Sequence, residues 1–192
     1  MMLQELFNTY EELKKYVYIL YRGDKEAIII EFKNGNFYHL VGLHKTKIDM
    51  YFPSEIISKE KKYKYMKSHI EKFNNILESE IQDKVTLEYR IETFHNLIDL
   101  LNENSNTILY DLKEKVPGSM FNGDYWLFKI YENIYCLLGL KGEENKKGYK
   151  IYAPQSWMAS NRPNKLTENK RPIYLERIVA IPIEIFNKQA VL

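Results

Sequence analysis

The sequence predicts an α+β fold in which helices come first and an antiparallel sheet follows. Apolar residues recur at helical spacing in the first half. Short aromatic and β-branched segments, separated by turns that contain Asn and Gly, begin at residue 107. The chain has 192 residues, of which 45% are hydrophobic and 14% aromatic, so it is long and apolar enough to bury a core. We therefore predict a single domain over residues 1–192.

The N-terminal part is predicted to form a helix and a hairpin. Its elements are a helix over residues 3–16 and strands over residues 17–21 and 27–32, joined by a tight turn at residues 22–25. Asn34 and Gly35 break the second strand. The segment that follows, residues 37–45, fits either a third strand or the first turns of a helix.

The central part is predicted to be helical. Residues 55–81 have a helical composition, with an interruption expected near residues 61–65. Residues 86–101 form the clearest helix, because their apolar side chains fall on one stripe. Asn102 and Asn104 end that helix.

The C-terminal part is predicted to be an antiparallel meander. Its strands cover residues 107–112, 125–131, 134–140, 149–153 and 174–183, separated by turns at residues 122–123, 132–133 and 145–148. The longest irregular stretch is residues 155–171, and a loop of this length is typical of functional segments.

Several classes of protein are excluded by composition and motifs. One cysteine, Cys136, allows no intrachain disulfide and no multi-cysteine metal knuckle, and its apolar strand predicts a buried, inert thiol. The sequence lacks a long apolar run and a signal-peptide core, so we expect a cytoplasmic protein without a membrane segment. It also lacks glycine-rich nucleotide motifs, HExxH and GxSxG, so we expect neither a cofactor nor a metal.

The net charge of +2 conceals a segregation of charge along the chain. Residues 59–70 carry +4 and residues 141–171 carry +5, on either side of residues 71–104, which carry −5. Clustered Lys and Arg are suited to a polyanion such as nucleic acid. The alternative is a solvated lysine-rich surface, and the run at residues 59–67 in particular fits a solvated helix.

A short segment contains two histidines and a lysine, His39, His44 and Lys45. A proton donor, a proton acceptor and a cation are the groups that a metal-independent ribonuclease requires. On a strand the two histidines point to opposite faces, and on a helix His44 lies with the apolar residues while His39 faces away. We therefore predict that they do not act as a close pair and favour one of them. The alternative is a histidine held by backbone bonds at the edge of the core.

Arg90 falls within the apolar arc of the predicted central helix. A guanidinium there must be paired or must line a cleft, because an isolated buried charge is very costly. If the guanidinium is paired, it forms a structural ion pair, for which the candidate partners are Glu31, Asp111 and Asp124.

A third candidate site follows Tyr152, where a predicted strand ends in Pro154 and is followed by Gln155, Ser156 and Trp157. A hydroxyl and an amide at a strand end, next to a basic loop that reaches Arg171, are suited to holding a phosphate and stacking a base. The alternative is a loop at the sheet edge that is packed by Trp157.

The combination of these segments resembles a known family. Residues 28–45, IIIEFKNGNFYHLVGLHK, resemble the opening F-x-H-L-x-G-L motif of a phage-borne nuclease-like family related to the Barnase, EndoU, colicin and RelE ribonucleases. Residues 90–94, RIETF, are similar to the R-I-x-x-F helix of that family, and residues 152–156, YAPQS, are similar to its serine motif. The resemblance covers about residues 10–180.

The resemblance implies a ribonuclease-like α+β domain of phage or mobile-element origin that cleaves RNA by acid–base attack of the ribose 2′-OH, without a metal. It implies catalytic roles for His39, Arg90 and Ser156. Substrate-binding roles fall to His44, Lys45, Tyr152, Gln155, Trp157 and Arg171. RNA is the expected partner, with a host protein or an inhibitor as a further one. The alternatives are a non-catalytic nuclease-like module that binds nucleic acid or a host protein, and a structural protein.

Overall fold

The chain is described by a computed structural model over residues 2–23, 25–81, 85–103, 106–112, 123–144, 150–162 and 170–189. Seven α-helices and an eight-stranded sheet occupy these ranges, which confirms the predicted α+β class. The predicted turn at residues 145–148, most of the basic loop before Arg171, and Asn104 lie outside the described residues.

The N-terminal part contains the predicted helix and hairpin. Its elements are α1 (Met2–Leu13), β1 (Tyr16–Arg22), β2 (Lys25–Glu31) and α2 (Asn34–Leu40), followed by 3-10 helices at Leu43–Lys45 and Lys47–Tyr51. Of the two alternatives for residues 37–45, the helix is therefore correct. Asn34 begins α2 because the Asn36 side chain accepts a hydrogen bond from the Lys33 backbone N–H at 2.8 Å and thereby caps the first turn.

The central part contains four helices, α3 (Lys59–Ser68), α4 (Ile70–Ile81), α5 (Val85–Glu92) and α6 (Asn96–Leu100). The break predicted near residues 61–65 lies instead at His69, and the single helix predicted over 86–101 is two helices. The second break occurs at Thr93, whose hydroxyl donates to the Tyr89 carbonyl at 2.6 Å and accepts the Trp157 indole N–H at 3.3 Å. The hydrogen bond from Trp157 of the sheet to Thr93 thus accompanies the end of α5.

The sheet joins the two halves of the chain. Its remaining strands are β3 (Ile108–Asp111), β4 (Tyr125–Tyr131), β5 (Ile134–Glu144), β6 (Lys150–Ser160), β7 (Ile173–Tyr174) and β8 (Arg177–Pro182), after which comes α7 (Ile183–Gln189). The strand order is β7-β3-β4-β5-β6-β2-β1-β8. Strands β3 to β6 form the predicted antiparallel meander, and the N-terminal hairpin joins it because β2 pairs with β6 in parallel.

The sheet is strongly curled. β7 and β8 lie at its opposite edges, although only Leu175 and Glu176 separate them in sequence. Arg22 at the end of β1 reaches Tyr125 at the start of β4, with a guanidinium-to-hydroxyl distance of 3.3 Å, although three strands lie between β1 and β4. Curling therefore brings strands that are distant in the sheet order onto one concave surface.

The core lies between the helices and one face of the sheet. Leu138, Leu140 and Trp157 of β5 and β6 face the helices and are fully buried. Leu137 packs on the opposite face, in a second apolar cluster that contains Trp126. Among the described helices, none is both long and apolar enough to traverse a lipid bilayer.

Strand β6 is longer than predicted, and this corrects the position of the serine motif. Pro154 does not end the strand, because β6 continues to Ser160. The register shifts between Gly139 and Leu140 of β5, so that Gln155 forms a bulge. A bulge accommodates the proline, which has no N–H to donate to the ladder. Ser156 and Trp157 are thus strand residues and do not belong to a loop.

Candidate functional site

The described residues bring four basic side chains together where α2 meets α5: His39, His44, Lys45 and Arg90, here called the basic cluster. His39 lies in the last turn of α2, and His44 and Lys45 lie in the 3-10 helix that follows. Arg90 comes from α5, more than forty residues away in sequence. The site is therefore a product of the tertiary fold.

The two histidines form a close pair, so the prediction that they do not is wrong. Their ring centroids are 4.8 Å apart, with the planes inclined by 54°. The prediction assumed one continuous strand or helix across the segment. Instead Gly42 adopts φ of +88°, a left-handed conformation that glycine accepts readily, and the chain turns back so that His44 lies beside His39.

Arg90 is buried at the centre of this cluster. It is only 5% exposed, and one guanidinium N–H donates to the His39 carbonyl at 3.3 Å. No carboxylate in the described part of the chain lies within ion-pair distance of it, so the predicted pairing with Glu31, Asp111 or Asp124 is not found. The second alternative, a guanidinium that lines a cleft, stays a prediction.

Gly42 is required for the position of Arg90 as well as for the turn. A Cβ atom at residue 42 would lie 3.0 Å from both the Cδ and the Nη1 atoms of Arg90. The guanidinium therefore occupies the space that any other residue would fill. This explains why a glycine stands between the two histidines.

The cluster carries an excess of positive charge, and the pKa values of its members are lowered accordingly. Burial lowers the pKa of His44 to about 4, assisted by repulsion from His39, Arg90 and Lys45. Burial and the charge of Lys59 lower the pKa of His39, while burial and Arg90 lower that of Lys45. These shifts have the direction that burial and neighbouring positive charge produce in cationic groups.

The nearest acid that interacts with the cluster is already engaged elsewhere. Asp49 senses the charge of His44, which contributes to the lowered pKa of its carboxyl group. Its Oδ1 atom, however, accepts hydrogen bonds at 2.5 Å from both the Tyr38 hydroxyl and the Lys62 ammonium. Asp49 therefore does not pair with Arg90, whose lowered pKa has burial as its cause.

The residues predicted around the serine motif are not gathered in one place. Tyr152 belongs to the core between sheet and helices, whereas Ser156 lies opposite Gly139 on the other face of the sheet. Trp157 is fully buried, and its indole N–H bonds to Thr93. Gln155 occupies the bulge of β6, and Arg171 is exposed beyond the end of that strand. Of this group, Tyr152 and Trp157 face the helices that carry the basic cluster, and Trp157 is fully buried against them.

The structure contains a second cluster of polar side chains, which the sequence did not predict. We call it the mouth cluster, because it lies where the curled sheet opens, and it consists of Arg22, Asp124, Tyr125, Lys141, Lys150 and Tyr152. The rings of Tyr125 and Tyr152 are 5.3 Å apart, and Lys150 lies 5.1 Å above the second ring. These side chains come from β1, β4, β5 and β6 or from a residue next to them, and no spacing along the chain indicates that they meet.

Gly142 makes room for this assembly. A Cβ atom there would lie 2.3 Å from Lys150, 2.9 Å from Asp124 and 3.0 Å from Tyr152. The Gly142 backbone N–H also donates to an Asp124 carboxylate oxygen at 2.8 Å. Side chains of β6 and of the residue before β4 therefore converge over one glycine of β5.

The described residues contain no group of three or more His, Cys, Asp or Glu side chains placed to hold a metal ion. Cys136 is buried, and burial raises the pKa of its thiol to about 11, as expected for an inert cysteine. Comparison with protein families gave a match to the family described as phage-Barnase-EndoU-ColicinE5/D-RelE like nuclease4, over residues 2–184. Neither the curated proteins nor the solved structures gave a match.

Proposed function

The chain belongs to this phage-associated family of nuclease-like domains, and from that membership we propose that it is a metal-independent endoribonuclease. It cleaves RNA by attack of a ribose 2′-OH on the adjacent phosphate. The observation that carries the proposal is the buried Arg90 beside a close histidine pair, with no carboxylate of the described residues to neutralise it. A phosphodiester supplies the missing negative charge.

Arg90 and Lys45 are proposed to hold the scissile phosphate. A guanidinium presents several N–H donors in a fixed plane, which suits two phosphate oxygens at once. Burial in a site of low dielectric strengthens its attraction for the additional charge that develops in the phosphorane transition state. Lys45 adds a second cation from the 3-10 helix that follows α2.

The histidine pair is proposed to move the two protons. His44 is the base, because its pKa of about 4 keeps its ring neutral before RNA binds, and it accepts the 2′-OH proton. His39, whose pKa rises when the phosphate binds, donates a proton to the leaving 5′-oxygen. The bond from phosphorus to the 5′-oxygen breaks as the bond to the 2′-oxygen forms. The products are a 2′,3′-cyclic phosphate and a 5′-hydroxyl end.

The remaining predicted residues contribute unequally to this proposal. Tyr152 faces the same layer as the basic cluster and stays a substrate-binding candidate. Ser156 lies on the far face of the sheet and Trp157 is buried, so neither is assigned a contact with the scissile phosphate. Gln155 and Arg171 are proposed to contact the RNA on either side of the reacting nucleotides.

A non-catalytic module that binds nucleic acid is the second candidate. The favouring observation is that no carboxylate among the described residues orients either ring of the histidine pair, whereas the groups that hold a phosphate are present. Such a module needs Arg90 and Lys45 but has no use for proton transfer.

The experiment is incubation of the purified protein with single-stranded and structured RNA in EDTA, with analysis of the product ends. We expect 2′,3′-cyclic phosphates, and a loss of about 100-fold in rate for His39→Ala, His44→Ala and Arg90→Met. His95→Ala, an exposed histidine on another helix, is the matched control and should cleave normally. A salt-dependent gel shift without cleavage supports the binding module instead. A protein that neither cleaves nor binds RNA would contradict both candidate functions.

A further inference from the structure

The lysine-rich helix α3 contains two lysines whose charges are not used by the fold. Its other lysines form ion pairs with carboxylates: Lys62 with Asp49, Lys64 with Glu60 and Lys67 with Glu11. Lys59 and Lys61 are exposed, and neither ammonium group has an ion pair or a hydrogen bond with the described part of the chain. Both lie in the first turn of α3, where the positive end of the helix dipole opposes a cation. The helix therefore gains no stability from either charge.

Lys59 lies against α2, one helical turn before His39. A Cβ atom at Gly35 would lie 3.7 Å from the Cβ atom of Lys59. Gly35 and His39 are four residues apart in α2, so they share a face of that helix and are separated by about 6 Å along its axis. The four-carbon stem of a lysine spans this distance. The charge of Lys59 accordingly contributes to the lowered pKa of His39.

Arg90 lies on the other side of His39. Its guanidinium donates to the His39 carbonyl at 3.3 Å. The carbonyl groups of an α-helix point toward its C-terminus, whereas Gly35 lies one turn toward the N-terminus of α2. The charge of Arg90 lowers the pKa of His44, whereas that of Lys59 lowers the pKa of His39. Arg90 and Lys59 therefore approach His39 from opposite ends of α2.

We propose that Lys59 binds the phosphate that follows the scissile phosphate in the RNA strand, on the side of the leaving nucleoside. This subsite rests on the proposed function, in which Arg90 holds the scissile phosphate and His39 donates a proton to the leaving 5′-oxygen. The nucleoside that carries this oxygen extends past His39 toward Lys59, and its 3′-phosphate is the next negative charge. An ammonium group on a flexible stem is a usual partner of a backbone phosphate. The protein accordingly cleaves best where a charged phosphate follows the leaving nucleoside.

The test uses two oligonucleotides that differ by one charge. Each is a short 2′-O-methyl strand with a single ribonucleotide, prepared with all four bases at that position, so that only one phosphate can be cleaved. The next phosphate toward the 3′ end is either a normal phosphodiester or an uncharged methylphosphonate. The readout is the ratio of kcat/KM for the charged strand to kcat/KM for the uncharged strand. Any effect of Lys59 on proton transfer by His39 acts on both strands and cancels in this ratio.

Lys59→Gln is compared with Lys61→Gln. Lys61 is a matched control, because it is exposed in the same turn of α3 but lies two positions further on and faces away from Lys59. Neither substitution removes an ion pair from the described structure, so both variants should fold. Lys59→Arg keeps the charge and tests whether the charge alone is sufficient.

We expect a ratio of about ten for the parent, which corresponds to one charge-assisted contact. The ratio should fall to about one in Lys59→Gln and should stay at about ten in Lys61→Gln and Lys59→Arg. If the parent cleaves both strands equally well, or if Lys59→Gln keeps the ratio of the parent, the subsite is overturned and the nuclease is not.

Binding of the charged strand in a fully 2′-O-methylated form, which has no 2′-OH to attack, separates this proposal from the one on which it rests. Fluorescence anisotropy at several salt concentrations should show that Lys59→Gln binds about ten-fold more weakly than Lys61→Gln, with a salt slope smaller by about 0.7. If the parent cleaves no strand but this difference is found, Lys59 is supported as a phosphate contact and the nuclease is overturned. A parent that does not cleave, together with equal binding by the two variants or no binding at all, overturns both proposals.

Discussion

Arg90 places a charge in the core that the described residues do not neutralise. The guanidinium is 5% exposed, and burial lowers its pKa to about 10. Its one hydrogen bond within the described structure goes to the His39 carbonyl. Such an arrangement lowers the stability of the free protein, and it becomes favourable only when an anion binds.

Stability and activity should therefore respond in opposite directions to Arg90→Met. The variant keeps an unbranched side chain and removes the charge, so we expect the free energy of unfolding to rise by about 1 kcal/mol while RNA binding is lost. Urea denaturation and gel shift measure the two effects. Arg177→Met changes an exposed arginine on β8 and should give no gain in stability. A less stable Arg90→Met protein that still binds RNA contradicts the interpretation.

The lowered pKa of His44 makes stability depend on pH. Its folded pKa of about 4 lies below the ordinary value of 6.5, so the unfolded chain takes up the proton first as the pH falls. We expect the free energy of unfolding to be highest above pH 6.5 and to decrease as the pH falls from 6.5 to about 4. His44→Gln should reduce that decrease, as measured by urea denaturation at pH 7 and pH 5. Addition of phosphate to the parent protein should likewise reduce the loss of stability between pH 7 and pH 5. An equal loss in the parent and in His44→Gln contradicts the prediction.

The residues of the candidate site were only partly predictable. His39, His44, Lys45 and Arg90 were found because histidines close in sequence and an arginine on an apolar face are visible in the sequence alone. The pairing of the histidines was not, because it depends on the left-handed conformation of Gly42. Arg22 and Lys150 were missed altogether, since their proximity results from the curl of the sheet.

At the scale of the helices, α3 is anchored to both α1 and the segment after α2. Tyr63 donates its hydroxyl hydrogen bond to Glu11 of α1, and Lys67 lies 2.9 Å from the same carboxylate oxygen. On the other side, Lys62 reaches Asp49. These contacts hold the lysine-rich helix α3 beside α2. Some lysines of residues 59–70, the segment with a charge of +4, therefore take part in ion pairs within the fold.

Removal of the Tyr63 hydroxyl tests this anchor. Burial raises the pKa of Glu11, but hydrogen bonds from Tyr63, Lys67 and Lys14 outweigh burial and lower the pKa to about 2. Glu11 therefore stabilises the fold above its ordinary pKa of 4.5, and this contribution is lost as the pH falls toward 2. Tyr63→Phe should lower the free energy of unfolding at pH 7 by about 1 kcal/mol, and by less at pH 3. Urea denaturation at both pH values measures the difference.

Tyr135→Phe is the matched control, because its hydroxyl bonds to none of the described residues, and its stability should change by less than about 0.5 kcal/mol. Equal losses in the two variants contradict an anchoring role for Tyr63.

The type of most elements followed from periodicity, whereas their ends depended on tertiary contacts. The helix predicted over residues 86–101 is interrupted because Thr93 bonds to Trp157, a residue sixty-four positions away. Pro154 was interpreted as a strand end, but pairing with β5 through a bulge carries β6 past it. α7 was not predicted at all, since its residues 183–189 were interpreted as the end of a strand and its tail.

For the molecule as a whole, each basic segment contributes to one of the two polar clusters. Lys59 of the +4 segment influences His39, and Lys141 and Lys150 of the +5 segment form part of the mouth cluster. Arg90 comes from the acidic stretch between them. The near-neutral total of +2 is thus compatible with a locally positive surface.

Closure of the sheet should be essential to the whole fold. A chain that ends at Leu175 lacks β8, which pairs with β1 over residues 177–182 and buries Ile178. We expect this protein to lose cooperative urea unfolding and RNA binding, because β1 and β2 support α2. A chain that ends at Pro182 lacks only the described α7, whose side chains are largely exposed, and should keep both. Equal behaviour of the two truncations contradicts a closing role for β8.

The position of β8 also affects how the protein is made. β1 ends at Arg22, and its neighbour at the sheet edge begins at Arg177, more than 150 residues later. At about 5–20 residues per second, the ribosome needs about 10–30 s to add that interval. During this time β1 has an unpaired edge that is open to strands of other chains. The nascent protein therefore stays vulnerable to aggregation until β8 emerges and pairs with β1.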